Sequence, residues 1–255
     1  MVMVLLSGCH QSSDKAKIVR ENSDAKAMFQ GIWLDDMTDD VVFKVKGDTI
    51  FYPDTTSAPA YFRIYGDTLI LGQSHDKYSI IKQTKLSFCF QNANGDVIRL
   101  RKSENPNDSL FFMNKKAEPQ LLTDDLKKDT VVLFEGEKYH CYIAINPTSY
   151  KVIKTSISDD GVKVDNVYFD NIIHLSIYQG KRQLFSRNFH KNMFDNFVPG
   201  QFLKQAILMN MEFCRADTEG FHFNTVVCIP DGDSCYMLDT KITTVGEVSL
   251  ELLEY

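Results

Sequence analysis

Breakers and tryptophan are scarce in this sequence. Its 255 residues hold one Trp, seven Pro and thirteen Gly. That excludes a collagen-like or low-complexity chain, and a hydrophobic content of 44% with 24% charged residues excludes a disordered one. Basic charge is also in deficit, because 28 Lys and Arg face 34 Asp and Glu, a net charge of −6. Such a balance lacks the basic face that phosphate backbones require, so no nucleic-acid partner is expected. After the first residues no apolar run approaches the ~18 residues of a membrane-spanning helix. No C-x-x-C, G-x-S-x-G, H-E-x-x-H, phosphate-loop or G-x-G-x-x-G pattern occurs. Thioredoxin-like, zinc-ribbon, metalloprotease, nucleotide-binding and several hydrolase chemistries therefore lose their support. No catalytic residue, metal or cofactor is assigned, and enzymatic activity is not the leading expectation.

What is present begins with Met1-Val-Met-Val-Leu-Leu-Ser-Gly-Cys9, an apolar run that ends in small residues and a cysteine. Leu6-Ser7-Gly8-Cys9 resembles a bacterial lipobox, which implies lipidation of Cys9. The basic n-region of a full leader is absent, and the apolar run is short. His10 rather than Asp follows the cysteine, which by the same resemblance implies an outer-membrane destination, on the periplasmic or surface face. Residues 1–8 are then a signal remnant and residues 9–24 a polar tether that stands the protein off the bilayer.

Residues 25–115 read as an antiparallel β domain. Ser23–Gln30 (SDAKAMFQ) suits a short helix that Ser23 or Asp24 can cap. Then Phe43-Lys-Val-Lys-Gly-Asp-Thr-Ile50 recurs as Phe62-Arg-Ile-Tyr-Gly-Asp-Thr-Leu69. Each reads as a hairpin with Gly-Asp as a two-residue turn, pairing Val45 with Ile50 and Ile64 with Leu69. Both registers put apolar side chains, Tyr52 opposite Phe43 among them, on one face. A third hairpin turns at Ala93-Asn94-Gly95, because that register opposes Phe90 to Ile98 and Phe88 to Leu100. The segment is expected to form a meander or barrel of six or seven strands. Gly31-Ile-Trp33 at its head resembles the start of lipocalin-type barrels, which implies a small barrel and makes Trp33 a candidate ligand contact; core packing is its default role.

Residues 103–128 are rich in Asn, Pro, Asp and Lys and mark a boundary, with a short helix expected around 119–127. Residues 128–255 read as a second antiparallel β domain with one short helix, placed at 200–209 with Phe202, Leu203, Ala206 and Ile207 on a stripe. Separate strands are expected at Lys138–Ile145 and Lys151–Ser158, around Asn146-Pro147. The fold class is mainly β, with minor helix.

Cys89, Cys141, Cys214, Cys228 and Cys235 are an odd set once Cys9 is set aside. Cys228 and Cys235 flank a turn-rich loop and are the best pair for a disulfide, although two reduced core cysteines are the favoured reading. Ser74-His75-Asp76-Lys77 holds triad residue types, but neighbours on one turn cannot converge as a triad. Asp35, Asp36, Asp39 and Asp40, like Asp231-Gly-Asp233, read as solvated turns rather than calcium loops. His174, His190 and His222 are weighed as a metal set and read as unrelated histidines. Lys181, Arg182, Arg187 and His190 form a local basic patch that suits an anionic glycan, lipid head group or partner, or else a charged sheet edge that blocks pairing.

In the C-terminal half, the stretches Tyr139–Pro147, Asp170–Phe189, Phe202–Met209 and Gly220–Asp231 resemble an uncharacterised family of Bacteroidota envelope lipoproteins, and no activity comes with the likeness. The resemblance also implies O-glycosylation at Asp-Ser/Thr followed by an aliphatic residue, at Ser109 and Thr130. The leading expectation is thus a lipid-anchored envelope module that binds or scaffolds an unknown small molecule, glycan or protein. The alternatives are an envelope hydrolase built from dispersed His, Asp and Ser, and an inhibitor acting through an exposed edge strand.

Overall fold

The two Gly-Asp repeats fold as their spacing predicts. Val45 pairs with Ile50 and Ile64 with Leu69 across two-residue turns, whose Gly47 and Gly66 take φ of +60° and +54°. The third hairpin adopts the register chosen by apolar pairing, with Phe88 opposite Leu100 and Phe90 opposite Ile98. These hairpins are seen in a computed structural model that describes residues 20–113 and 126–253. Cys9, the leader, most of the tether and most of the helix expected around 119–127 lie outside the described residues.

Eight antiparallel strands, rather than six or seven, make the first unit: β1 (Gly31–Asp35), β2 (Val41–Lys46), β3 (Thr49–Phe51), β4 (Ala60–Tyr65), β5 (Thr68–Leu71), β6 (Asp76–Gln83), β7 (Ser87–Gln91) and β8 (Val97–Lys102). Pairing of β1 with both β2 and β8 closes them into a barrel, which leaves no free edge. Alternation along each strand sends Phe43, Val45, Ile50, Phe62, Ile64, Leu69, Leu71, Phe88, Phe90 and Leu100 inward.

One end of the barrel is plugged. Helix α1 (Ser23–Phe29) is capped by Asn22, whose side chain accepts from the Ala25 N–H at 3.0 Å, rather than by Ser23 or Asp24. It drives Phe29 into the barrel, where that ring lies 4.3 Å from Phe88 and 5.8 Å from Trp33, centroid to centroid. The Trp33 indole donates to the Phe29 carbonyl at 2.8 Å, and Lys102 Nζ donates to the Met28 carbonyl at 2.8 Å.

A 3₁₀ segment at Pro106–Phe112 follows the barrel. Two four-stranded sheets come next. The first, in the order β12-β11-β10-β9, contains β9 (Lys127–Phe134), β10 (Glu137–Ile157), β11 (Lys163–Gln179) and β12 (Arg182–Phe189). The second contains β13 (Ile207–Asp217), β14 (Gly220–Cys228), β15 (Cys235–Ile242) and β16 (Val248–Leu252). Their inner faces share one core, with Ile143, Leu175, Phe189, Leu208, Phe221 and Leu238 at 0–1% exposure.

Three local expectations are corrected. The strands expected on either side of Asn146-Pro147 are one 21-residue strand, β10. Its register shifts between Pro147 and Lys151, and the Thr148 hydroxyl donates to the Asp170 carbonyl at 2.6 Å beside a proline that has no N–H to give. The helix at 200–209 stops early: α2 covers Gly200–Gln205. Beyond it the Leu208 N–H donates to Asp170 Oδ1 at 2.8 Å and the Leu208 carbonyl accepts from Asn171 Nδ2 at 3.0 Å. These bonds from the facing sheet hold residues 207–209 extended. Cys228 and Cys235 sit directly opposite in the β14–β15 register and are joined as a disulfide, not reduced.

Candidate functional site

The barrel end away from α1 is hollow. It encloses a cavity of about 620 Å³, within the usual size range for a small-molecule site. Phe43, Ile50, Leu69, Leu71, Tyr78 and Phe90 are its apolar barrel walls, and Tyr52 stands among them.

The cavity is roofed by the second unit. Strands β10 and β11 are long enough to run past the sandwich core, and the turn between them lies over the barrel mouth. Val162 from this turn joins the barrel core, and Val164, Ser156, Ser158 and Asn166 complete the lining. The attachment is polar and specific. The Lys163 N–H donates to the Tyr78 hydroxyl at 3.0 Å, and Asn92 Nδ2 donates to the Asp160 carbonyl at 3.2 Å. The Ala58 N–H donates to the Asp165 carbonyl and the Val167 N–H to the Thr56 carbonyl, each at 2.7 Å. Lys163 Nζ pairs with Asp76 at 2.7 Å. Gly161, at φ +68°, packs so tightly on Asn92 that a Cβ there would lie 2.2 Å from Asn92 Nδ2.

The mouth is acidic. Asp35, Asp40, Asp54, Asp159 and Asp160 line it, and among the described residues the lining includes no Lys, Arg or His. Asp35 Oδ1 accepts from the Met37 and Thr38 N–H groups, and so shapes its own loop. Burial opposes ionisation of Asp54, but hydrogen bonds from Ser57 and Thr56 outweigh it and hold this carboxyl below the usual range. Asp160 goes the other way: burial, and then the charges of Asp35 and Asp159, raise its pKa. The Tyr52 hydroxyl is buried with no hydrogen-bond partner among the described residues, and burial pushes its pKa above the ordinary phenol value. Buried hydroxyls are normally satisfied, so this one marks the cavity as polar at one point of an apolar wall.

A second polar cluster lies on the outer face of the second sheet. His222 Nδ1 is 2.6 Å from Asp239 Oδ2, and Nε2 is 3.1 Å from Asp217 Oδ1. Arg215 bridges the same two carboxylates, at 3.1 Å from Asp217 and 3.6 Å from Asp239. Ser249 and Lys241 lie nearby. A hydrolytic triad needs one imidazole nitrogen turned to the nucleophile. Here each ring nitrogen faces a carboxylate, an arrangement that ties β13, β14 and β15 together instead of activating a serine.

Other residues singled out from the sequence are dispersed. Trp33 packs at the plugged end and does not line the cavity. Arg182 and Arg187 are exposed along the edge strand β12, Lys181 is exposed in the turn before it, and His190 follows it. His174 bonds Asn188 on the first sheet, remote in register from the His222 cluster. Among the described residues no group of three His, Cys, Asp or Glu side chains is placed to hold a metal ion. Ser109 lies in the 3₁₀ segment, its hydroxyl donating to the Pro106 carbonyl at 2.7 Å, and Thr130 is half-buried in β9. Asp231 accepts from the Tyr168 hydroxyl at 2.7 Å. Val131 and Leu133 are exposed on the edge strand β9. No described helix is long and apolar enough to cross a membrane.

Sequence reasoning missed Tyr52 and Asp160 as a pair of site residues. The signal for Tyr52 was a polar ring on the inward face of β3's continuation. Nothing local marked Asp160, because the barrel residues that share the cavity with it come from much earlier in the chain, between Asp35 and Phe90.

Fold and site together define an all-antiparallel β protein in which a two-sheet unit roofs the cavity of a closed barrel. The chain belongs to the family described as a domain of unknown function, DUF4738, whose model matches residues 105–250. That segment starts just after β8 and includes the cavity roof as well as all four stretches on which the family resemblance rests. No curated protein matches the sequence.

Proposed function

We propose that this protein is a lipid-anchored cell-envelope module that binds a small amphipathic molecule in the barrel mouth. The observation that carries the reading is the cavity itself: about 620 Å³, apolar-walled, with a buried hydroxyl and several carboxylates at its mouth. A closed eight-stranded barrel with Trp33 on its first strand also supports the lipocalin-type likeness. The anchoring half of the proposal rests on Leu6-Ser7-Gly8-Cys9 and the polar stretch after it. A Bacteroidota outer membrane, and glycan on Ser109, follow from the same family likeness.

The test is native mass spectrometry of protein purified from its source membranes, beside Cys9→Ala and Leu71→Trp variants. Wild type is expected in the membrane fraction with an acyl mass excess and a small-molecule adduct. Cys9→Ala is expected in the soluble fraction with the adduct, and Leu71→Trp, which fills the cavity, in the membrane without it. Soluble, unmodified wild type would overturn the anchor, and an adduct that survives Leu71→Trp would overturn the site.

A further inference from the structure

We infer that the barrel-mouth cavity selects a cationic amphiphile, a molecule with an apolar body and an ammonium or amidinium-type head. The inference rests on the cavity being a binding site and adds the charge of its ligand. Two independent observations converge on it. Asp40, Asp159 and Asp160 stand at the mouth with no cation among the lining residues, and no ion pair among the described residues neutralises them. Separately, the Tyr52 hydroxyl is buried in the same cavity and lacks a partner among the described residues.

The first observation sets the sign. Like charges gathered in a partly desolvated mouth raise one another's free energy, and a bound cation relieves that strain while an anion adds to it. Burial and the neighbouring Asp35 and Asp159 hold Asp160 above the usual carboxylate pKa, the signature of a group that lacks its counter-charge. The second observation sets the head group's hydrogen-bonding character. A phenol oxygen can accept from an N–H donor, and an ammonium offers several, with the Asp54 carboxylate also within electrostatic reach of Tyr52. The apolar body would lie against Phe43, Leu71 and Phe90. A neutral lipid or alcohol would fill the same volume and leave the charge unrelieved. A fatty acid would place its carboxylate against the acidic mouth.

The test is isothermal titration calorimetry of the full chain with three ligands of one tail length: octylammonium, octanol and octanoate. Octylammonium is expected to bind about tenfold more tightly than octanol at low salt, and octanoate most weakly. The double variant Asp40→Asn, Asp160→Asn is expected to bring octylammonium down to the octanol level. Tyr52→Phe is expected to weaken octylammonium by about three- to tenfold. Equal binding of all three ligands would overturn the charge selectivity and leave the cavity as a binding site. Binding of none would overturn the cavity reading as well. Retained preference in the double variant would overturn the role of these carboxylates.

Discussion

The backbone N–H of Lys163 donates to the Tyr78 hydroxyl across 3.0 Å, joining residues 85 positions apart in the chain. Through this contact the turn between the two longest strands becomes part of the barrel. The cavity is therefore a joint product of two units, walled by one and roofed by the other.

Gly161 is the tightest point of that junction. Gly161→Ala would place a methyl 2.2 Å from Asn92 Nδ2 at a backbone φ of +68°. The conformation alone costs about 1–3 kcal/mol for a residue with a Cβ. A lower denaturation midpoint is expected, with weaker ligand binding from a displaced roof. A midpoint equal to wild type would show that the turn does not bear on Asn92 in solution.

Asp160 carries a sign that can be read by pH. Burial and the charges of Asp35 and Asp159 raise its folded pKa. A raised carboxyl contributes stability that is fully present below the unfolded pKa and is lost as pH rises through the folded one. Asp160→Asn is thus expected to melt higher than wild type at pH 7, and the gap should close below about pH 4. Urea unfolding at the two pH values measures this. A destabilised variant at pH 7 would mean that Asp160 is satisfied in the native state.

Asp217 shows the opposite sign. The Glu219 N–H, then His222 and Arg215, bind its carboxylate against a desolvation cost and pull it down to about 2. Its contribution is present above the ordinary aspartate pKa and disappears as pH falls through about 2. Asp217→Asn should therefore be less stable than wild type at pH 7, and the two should converge near pH 2 in the same unfolding experiment. A constant gap at both pH values would point to lost packing instead of lost charge.

Cys228 and Cys235 are seven residues apart and bridged. For so short a loop the chain-entropy description gives about 2–3 kcal/mol of stabilisation. Replacing both by Ser should lower the denaturation midpoint by a corresponding amount and leave ligand binding unchanged, because the pair lies on β14 and β15, away from the cavity. Wild type under reducing conditions should match the variant.

The parts of the molecule that were legible in the sequence are those whose determinants are local. The Gly-Asp turns and the Phe88–Leu100 register follow from a few adjacent residues, because a one-residue slip would turn every apolar side chain outward. The unity of β10 and the early end of α2 were not legible. Each depends on a contact with β11, Thr148 reaching the Asp170 carbonyl in one case and the Asp170 and Asn171 side chains gripping Leu208 in the other. Barrel closure needed the β1–β8 pairing, which spans the whole unit. The site was half visible: Asp35 and Asp40 stood out as charges, but Asp160 meets them through tertiary contact alone.

The distance along the chain between wall and roof gives assembly a direction. The barrel's hairpins close through near neighbours, whereas Ser57 meets Asn166 across 109 positions and Tyr78 meets Lys163 across 85. Contacts of such separation carry a larger loop-closure cost than the hairpin turns, and are expected to form after them. A nascent barrel therefore has an open mouth until the long hairpin has been made and has swung onto it. In that order of folding the inner surface is exposed before the roof arrives, and a molecule of the proposed kind would be enclosed as the chain finishes folding instead of having to enter afterwards.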